Sequence, residues 1–165
     1  MFSEWIRRNG FWMLDFFLGE KVRKHLKDIK FIMENIDEPR VKKLQDKYLK
    51  QILLYARERV PFYQGINDID LKSFPIVNKN IIKERYKDFQ SIDFIGKKVF
   101  ELHTSGSTGT PFVVRQDENK RNRVFAEMIY FWGKAGFKIG MKYVFFRVWT
   151  NINRKNKLTA WARNI

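Results

Sequence analysis

The residues best suited to chemistry fall in one short run, His103-Thr104-Ser105-Gly106-Ser107-Thr108-Gly109-Thr110-Pro111. Its glycines let backbone N–H groups approach an anion without a Cβ in the way, and its hydroxyls can rotate to donate to phosphate oxygens. Consecutive N–H groups of such a turn form an anion-binding concavity, so the natural guest is a phosphate. The run is not a Walker A motif, because no Lys follows its second glycine. The plain alternative is a polar hairpin turn, which is what most Ser/Thr/Gly clusters are. Val99-Phe100-Glu101-Leu102 before the run and Phe112-Val113-Val114-Arg115 after it read as short strands, predicting a strand, a small-residue loop and a returning strand.

The ordered string from Thr104 to Pro111 is more specific than its composition. It resembles the phosphate-binding loop of the adenylate-forming enzymes, in the form found in the phenylacetate-CoA ligase-like branch that includes capsular-polysaccharide-biosynthesis proteins. The resemblance implies that Thr104, Ser105, Gly106, Ser107, Thr108, Gly109 and Thr110 hold ATP phosphates with Mg2+ while a carboxylate attacks the α-phosphate. One position departs from the wider superfamily: where many members carry Lys directly after the Pro, this chain has Phe112. Members of the capsular-type branch often have an apolar residue there, which makes Phe112 a branch marker.

Two further landmarks precede the loop in the order that the branch uses. Val60-Pro61-Phe62-Tyr63 resembles the segment that ends a helix there, and Phe74-Pro75-Ile76-Val77-Asn78-Lys79 resembles the Phe-Pro-Ile/Leu segment with a Lys a few residues on. Taken with the loop, the resemblance covers roughly residues 39–115. From the residues alone, Pro75 fixes an extended entry and Asn78 can cap a short helix anchored by Ile81 and Ile82. Lys79 then falls in the first helical turn, where the backbone is already positive, so a cation placed there suits an anionic ligand, phosphate or carboxylate. A solvated lysine is the plain alternative.

The elements that must position these residues follow from periodicity. Met1 to Glu34 predicts two or three short amphipathic helices punctuated by Gly10 and Gly19, with Phe2, Trp5, Ile6, Trp12, Phe16 and Val22 as the packing face. Aromatics opposite basic residues also suit a membrane interface, but packing on a larger domain is the favoured reading. Asp37-Glu38-Pro39 opens the clearest helix, with Val41, Leu44, Tyr48, Ile52 and Tyr55 as its stripe and an end near Val60-Pro61. Asp117 to Ala135 predicts another, with Val124, Met128, Phe131 and Trp132 on one face and Gly136 closing it. Tyr143 to Trp149 reads as a buried strand. A strand, helix, strand order over residues 99–149 suits the start of an α/β domain.

Composition sets the outer limits. The 165 residues, 44% apolar with 16 Phe, 5 Trp and 6 Tyr, can build a core, and the absence of Cys excludes disulfides and thiolate chemistry. No apolar run nears the ~18 residues of a membrane span, and Phe11 to Gly19 is interrupted by Asp15 and lacks a signal-peptide cleavage pattern. A cytoplasmic protein is expected. The formal charge is +15 and is densest from residue 104 onward, where 12 Lys and Arg face 3 Asp and Glu.

These readings combine into an incomplete α/β chain: a mainly helical segment over residues 1–97, then the first strands and helix of an adenylate-forming large domain over residues 98–165, with the phosphate loop at 104–111. The resemblance implies an adenine-binding part and a C-terminal domain with the catalytic Lys further on, so no residue here is assigned to catalysis or metal ligation. Partners are expected to be ATP and a carboxylic acid, with CoA as a candidate acyl acceptor and surface polysaccharide as a candidate context. The rival reading is a basic module binding nucleic acid or an anionic membrane surface. It accounts for the charge but leaves the ordered landmarks unexplained, and no nucleic-acid-binding signature is present.

Overall fold

The computed structural model describes residues 2–104 and 112–144. Ser105 to Pro111, the greater part of the sequence-predicted phosphate loop, and the predicted strand beyond Val144 lie outside the described residues. Most of the described chain is helical. Five helices occur in the order α1 (Phe2–Phe17), α2 (Lys21–Glu34), α3 (Pro39–Arg59), α4 (Lys79–Glu84) and α5 (Glu118–Lys134), with strands β1 (Phe100–His103) and β2 (Val113–Gln116) between α4 and α5. The chain divides into two compact units, residues 1–31 with 122–165, and residues 32–121.

In the first unit, α1 and α2 are joined by a tight turn at Gly19 and Glu20, both at positive φ. Gly10 does not punctuate anything: it lies within α1. Asp15 makes the turn. Its carboxylate is 5% exposed and accepts from Val22 N–H at 2.9 Å and Arg23 N–H at 3.1 Å, two donors of the first turn of α2 that the helix leaves unpaired. The unit's apolar cluster joins Val22 and Ile29 of α2 to Ala126 of α5, with Phe11, Trp12, Leu26, Ile129 and Tyr130 packed around them. Arg123 pairs with Asp28 beside it.

Two expectations about packing faces are corrected in this unit. Of the predicted face of α1 and α2, Trp12 and Val22 are inside, whereas Phe2, Trp5, Ile6 and Phe16 are exposed. On α5 the buried residue is Ala126, while Met128 and Phe131 are exposed. A small side chain lets another helix approach closely, so Ala126 marks the inner face of α5 better than its largest residues do.

The far end of α1 is tied to the segment after α5. Arg7 Nε donates to the Gly140 carbonyl at 2.8 Å and Arg8 Nε to the Ile139 carbonyl at 3.0 Å. A Cβ on Gly140, whose φ is +94°, would stand 2.3 Å from the Glu4 carbonyl oxygen. Glycine is required here on both counts: close backbone approach and left-handed φ.

In the second unit, α3 begins at Pro39, whose missing N–H costs nothing at a helix start. Val41 of its stripe and Leu53 beside that stripe are buried, but Tyr48, Ile52 and Tyr55 are exposed. After α3, Pro61–Tyr63 forms one 3-10 turn, and an aromatic cluster follows from it. Phe62 stacks on Phe89 at 4.0 Å between centroids, and Tyr63 packs against Phe74 and Phe89 at 5.4 and 5.8 Å. Phe62 N–H donates to the Asp88 carbonyl at 2.9 Å, and Arg85 covers the Phe62 ring. Two of the three sequence landmarks, Val60-Pro61-Phe62-Tyr63 and the Phe74 segment, thus meet in one packing unit. Ile76 takes no part: it is 96% exposed.

A candidate phosphate-binding hairpin and its groove

The two strands form an antiparallel hairpin in the register Phe100↔Gln116, Glu101↔Arg115, Leu102↔Val114 and His103↔Val113. Both strands start and end one residue later than the sequence predicts, within the usual uncertainty of element ends. Beyond the last pair, Thr104 N–H donates to the Phe112 carbonyl at 3.0 Å, and Phe112 N–H donates to Thr104 Oγ1 at 3.0 Å. These two bonds draw the chain together at a neck. The residues from Ser105 to Thr110, named above as phosphate contacts, run between the two sides of that neck and lie outside the described residues. Thr104 is described, and its hydroxyl oxygen is already an acceptor within the neck.

Lys79 is brought to the same place. Asn78 caps α4, its Oδ1 accepting from Asn80 N–H and Ile81 N–H, each at 3.0 Å, as its residue type predicts. Lys79, the next residue, is exposed, and its ammonium stands 5.6 Å from the centroid of the Phe112 ring, within cation–π range. The position after Pro111 holds an apolar ring instead of a lysine, and a lysine from another element stands over that ring. Of the sequence-predicted site residues that are described, Thr104 and Lys79, both therefore belong to the neighbourhood of the neck.

What fixes the hairpin to the rest of its unit escaped the sequence reading. Arg115 donates through Nε to Glu101 Oε1 at 3.0 Å, its cross-strand partner, and through Nη1 to Gln90 Oε1 at 2.6 Å, while its guanidinium lies over the Tyr86 ring. One side chain thus joins β2, β1 and the segment after α4. The signal available in the sequence was the opposite charge of Glu101 and Arg115, which a hairpin centred on the loop places directly across from each other. Arg121 Cζ stands 3.9 Å from the centroid of the Phe100 ring at the other end of the hairpin.

Beside the hairpin opens an apolar groove of about 690 Å³. Ile52 and Tyr55 of α3, Ile82 of α4, Phe89, Phe94 and Val99 wall it, with Phe112 and Val113 from the hairpin and Arg115 and Lys120 as its cations. Tyr55 Oη and Ser91 Oγ share a hydrogen bond of 2.6 Å there. Two exposed residues of the α3 stripe are accounted for in this way: Ile52 and Tyr55 face the groove, not a closed core. Burial raises the pKa of Tyr63, in the aromatic cluster of this unit, above its ordinary value of 10.0. Among the described residues no helix is long and apolar enough to cross a membrane, and no group of three or more His, Asp or Glu is placed to hold a metal ion.

One curated protein supports a ligase-like, adenylate-forming relationship at a low level of identity. The chain is 31% identical over 110 residues to the phenylacetate-coenzyme A ligase of Thermus thermophilus, a match that takes in 59% of this chain and 24% of that protein. The chain thus spans about a quarter of the length of the curated relative it matches. No protein-family model matches the sequence. No solved structure matches it.

Proposed function

We propose that residues 98–165 begin the nucleotide-binding region of an AMP-forming carboxylate ligase, and that Thr104 to Thr110 hold the β- and γ-phosphates of ATP with Mg2+. The observation that carries this reading is the neck. A loop rich in Gly, Ser and Thr is held at its base by the paired bonds of Thr104 and Phe112, and the Lys79 ammonium stands over Phe112 at 5.6 Å. A Gly/Ser/Thr-rich sequence with a lysine beside its base suits a polyphosphate, because such residue types offer partners for both its charge and its lone pairs. The similarity to a phenylacetate-coenzyme A ligase supports the same reading.

In that chemistry ATP supplies an activated phosphoryl centre: a substrate carboxylate oxygen bonds to the α-phosphorus and the bond to the bridging oxygen breaks, releasing pyrophosphate. The contribution of this chain is to bind and orient. The loop fixes the leaving pyrophosphate, Lys79 offsets its charge, and the Arg115 contacts keep the hairpin from shifting as the ligand enters. Such positioning and charge stabilisation provide most of the acceleration in phosphoryl chemistry. The same reading assigns no catalytic Lys among residues 1–165, and these residues by themselves are proposed not to adenylate a carboxylate. The capsular-type branch, a role in surface polysaccharide synthesis, CoA as acceptor and a cytoplasmic location belong to the same proposal.

The test is calorimetric titration of the chain with ATP and Mg2+, set beside the Ser107→Ala/Thr108→Ala double variant. Two lost hydrogen bonds to a charged ligand, each worth about 1.5–3 kcal/mol, weaken binding by at least about a hundredfold. Acid-dependent pyrophosphate release by this chain would contradict its inactivity. Binding that ignores the double substitution but collapses with salt, equally for unrelated nucleic acids, would replace the reading with a polyelectrolyte one.

A further inference from the structure

Helix α1 turns inward a side that carries Phe11 and Trp12 together with its charged residues. Glu4, Arg7, Arg8 and Asp15 are half-buried or buried, and three of them are spent on contacts within their own unit: Arg7 and Arg8 on the carbonyls of Gly140 and Ile139, and Asp15 on the start of α2. The opposite side carries Phe2, Trp5, Ile6, Met13, Phe16 and Phe17, all exposed, with Trp5 at 59% and Phe17 at 75%. Their spacing puts them on one arc of the helix, and that arc holds no charged residue. Its single polar side chain, Asn9, turns its amide back onto the Trp5 carbonyl at 2.9 Å. A contiguous apolar surface of this kind marks an interaction site.

We propose that this face of α1 docks on an anionic lipid surface, lying in the interfacial plane. Three observations select lipid over a protein partner. The face is poor in hydrogen-bonding groups for a peptide to read: the Asn9 amide nitrogen is turned onto its own helix, which leaves the Trp5 indole N–H and the Asn9 carbonyl oxygen. Its large residues are mostly aromatic, and Trp with Phe is the composition of an interfacial helix. The unit that bears it is strongly basic: residues 1–31 and 122–165 hold 16 Lys and Arg against 5 Asp and Glu, whereas residues 32–121 hold 17 against 13. On α2, which follows directly, Lys24, Lys27 and Lys30 are all exposed. Anionic headgroups attract such a surface, while a second copy of the same unit repels it. At 16 residues, α1 is suited to lying on a bilayer. The inference is independent of the nucleotide reading and places the chain at a membrane.

The experiment is co-sedimentation of the purified chain with phosphatidylcholine vesicles and with mixed phosphatidylcholine/phosphatidylglycerol vesicles, alongside Trp5→Glu/Phe16→Glu and Lys27→Gln/Lys30→Gln variants. The wild-type chain pellets with the anionic vesicles and its tryptophan emission shifts to the blue. The Trp5/Phe16 variant, exposed at both positions and therefore unchanged in circular dichroism and Tm, binds at least about tenfold more weakly, as expected for two aromatic side chains withheld from the interface. The Lys27/Lys30 variant narrows the preference for anionic over neutral vesicles. Equal pelleting of wild type and the Trp5/Phe16 variant would overturn the proposal, since binding would then be bulk charge alone. So would absence of pelleting, whether the face mediates a concentration-dependent dimer seen by light scattering or stays uncovered.

Discussion

Asp15 offers the sharpest quantitative test of how the first unit is held. Its carboxylate is 5% exposed and accepts from Val22 N–H at 2.9 Å and Arg23 N–H at 3.1 Å. Replacing it with Ala removes an N-terminal cap, worth about 1 kcal/mol, and strands the buried Val22 N–H without a partner, at about 1–3 kcal/mol. The sum is about 3 kcal/mol. For a chain of this size each kcal/mol moves Tm by about 2–4 °C, so Asp15→Ala should lower Tm by roughly 6–12 °C. Asp15→Asn keeps an acceptor for one N–H and turns its amide NH2 toward the other, so it should fall between the two. Urea unfolding followed by circular dichroism measures both, with the slope held common. A loss below about 0.5 kcal/mol for Asp15→Ala would refute the capping account, because no surface substitution is needed to explain so small a change.

Three other outcomes are expected. Gly140→Ala puts a Cβ 2.3 Å from the Glu4 carbonyl oxygen at a φ of +94° and should cost about 2–4 kcal/mol, whereas Gly133→Ala, with open space around it inside α5, should be neutral or stabilise by up to about 1 kcal/mol; paired thermal melts decide. Tyr63 has its pKa raised by desolvation, so the unfolded chain ionises first: the stability it contributes is intact below pH ~10 and declines as pH rises from there through the folded-state value. Tm measured from pH 8 upward should therefore fall less steeply above about pH 10 in Tyr63→Phe than in wild type. Arg115→Met should change stability by less than about 1 kcal/mol, because its ion pair with Glu101 is solvent-exposed, yet weaken ATP binding by loosening the hairpin; unchanged affinity would remove Arg115 from the site.

Much of the local structure was legible because its causes are local. Pro39 at the start of α3, Asn78 capping α4, the hairpin around the Ser/Thr/Gly run and the turn after α1 each follow from one or two residues whose backbone preferences leave little choice. The landmarks around Phe62 and Phe74 were legible as a resemblance, and the structure adds a physical reason for their joint presence in this chain: Tyr63 contacts both Phe74 and Phe89, and Phe62 stacks on Phe89. Arg115 was missed because its role depends on register and on Gln90, which lies 25 residues earlier in the chain. A pairing at that separation leaves no periodic trace.

The misreading of α1 has a more general origin. A period of 3.6 residues reports that a helix has two unlike sides, but it does not report which side the fold takes inward. The usual assumption that the apolar side is buried holds when burial is driven by area alone. In α1 only Phe11 and Trp12 of the large apolar residues go inward, and the choice of side is set jointly with directional groups: two arginines that find the carbonyls of residues 139 and 140, and an aspartate that finds the first donors of α2. Those partners are distant or lie across a turn, so no window of the sequence contains both halves of the bond. Asp15 shows the difference most directly. Along the chain it interrupts an apolar run and so argues against a membrane span or a signal peptide; in the fold it points inward on the side of Phe11 and Trp12 and leaves Met13, Phe16 and Phe17 of that run outward. The same residue that denies α1 a path across a bilayer leaves Phe16 and Phe17, its immediate neighbours, free to lie on one.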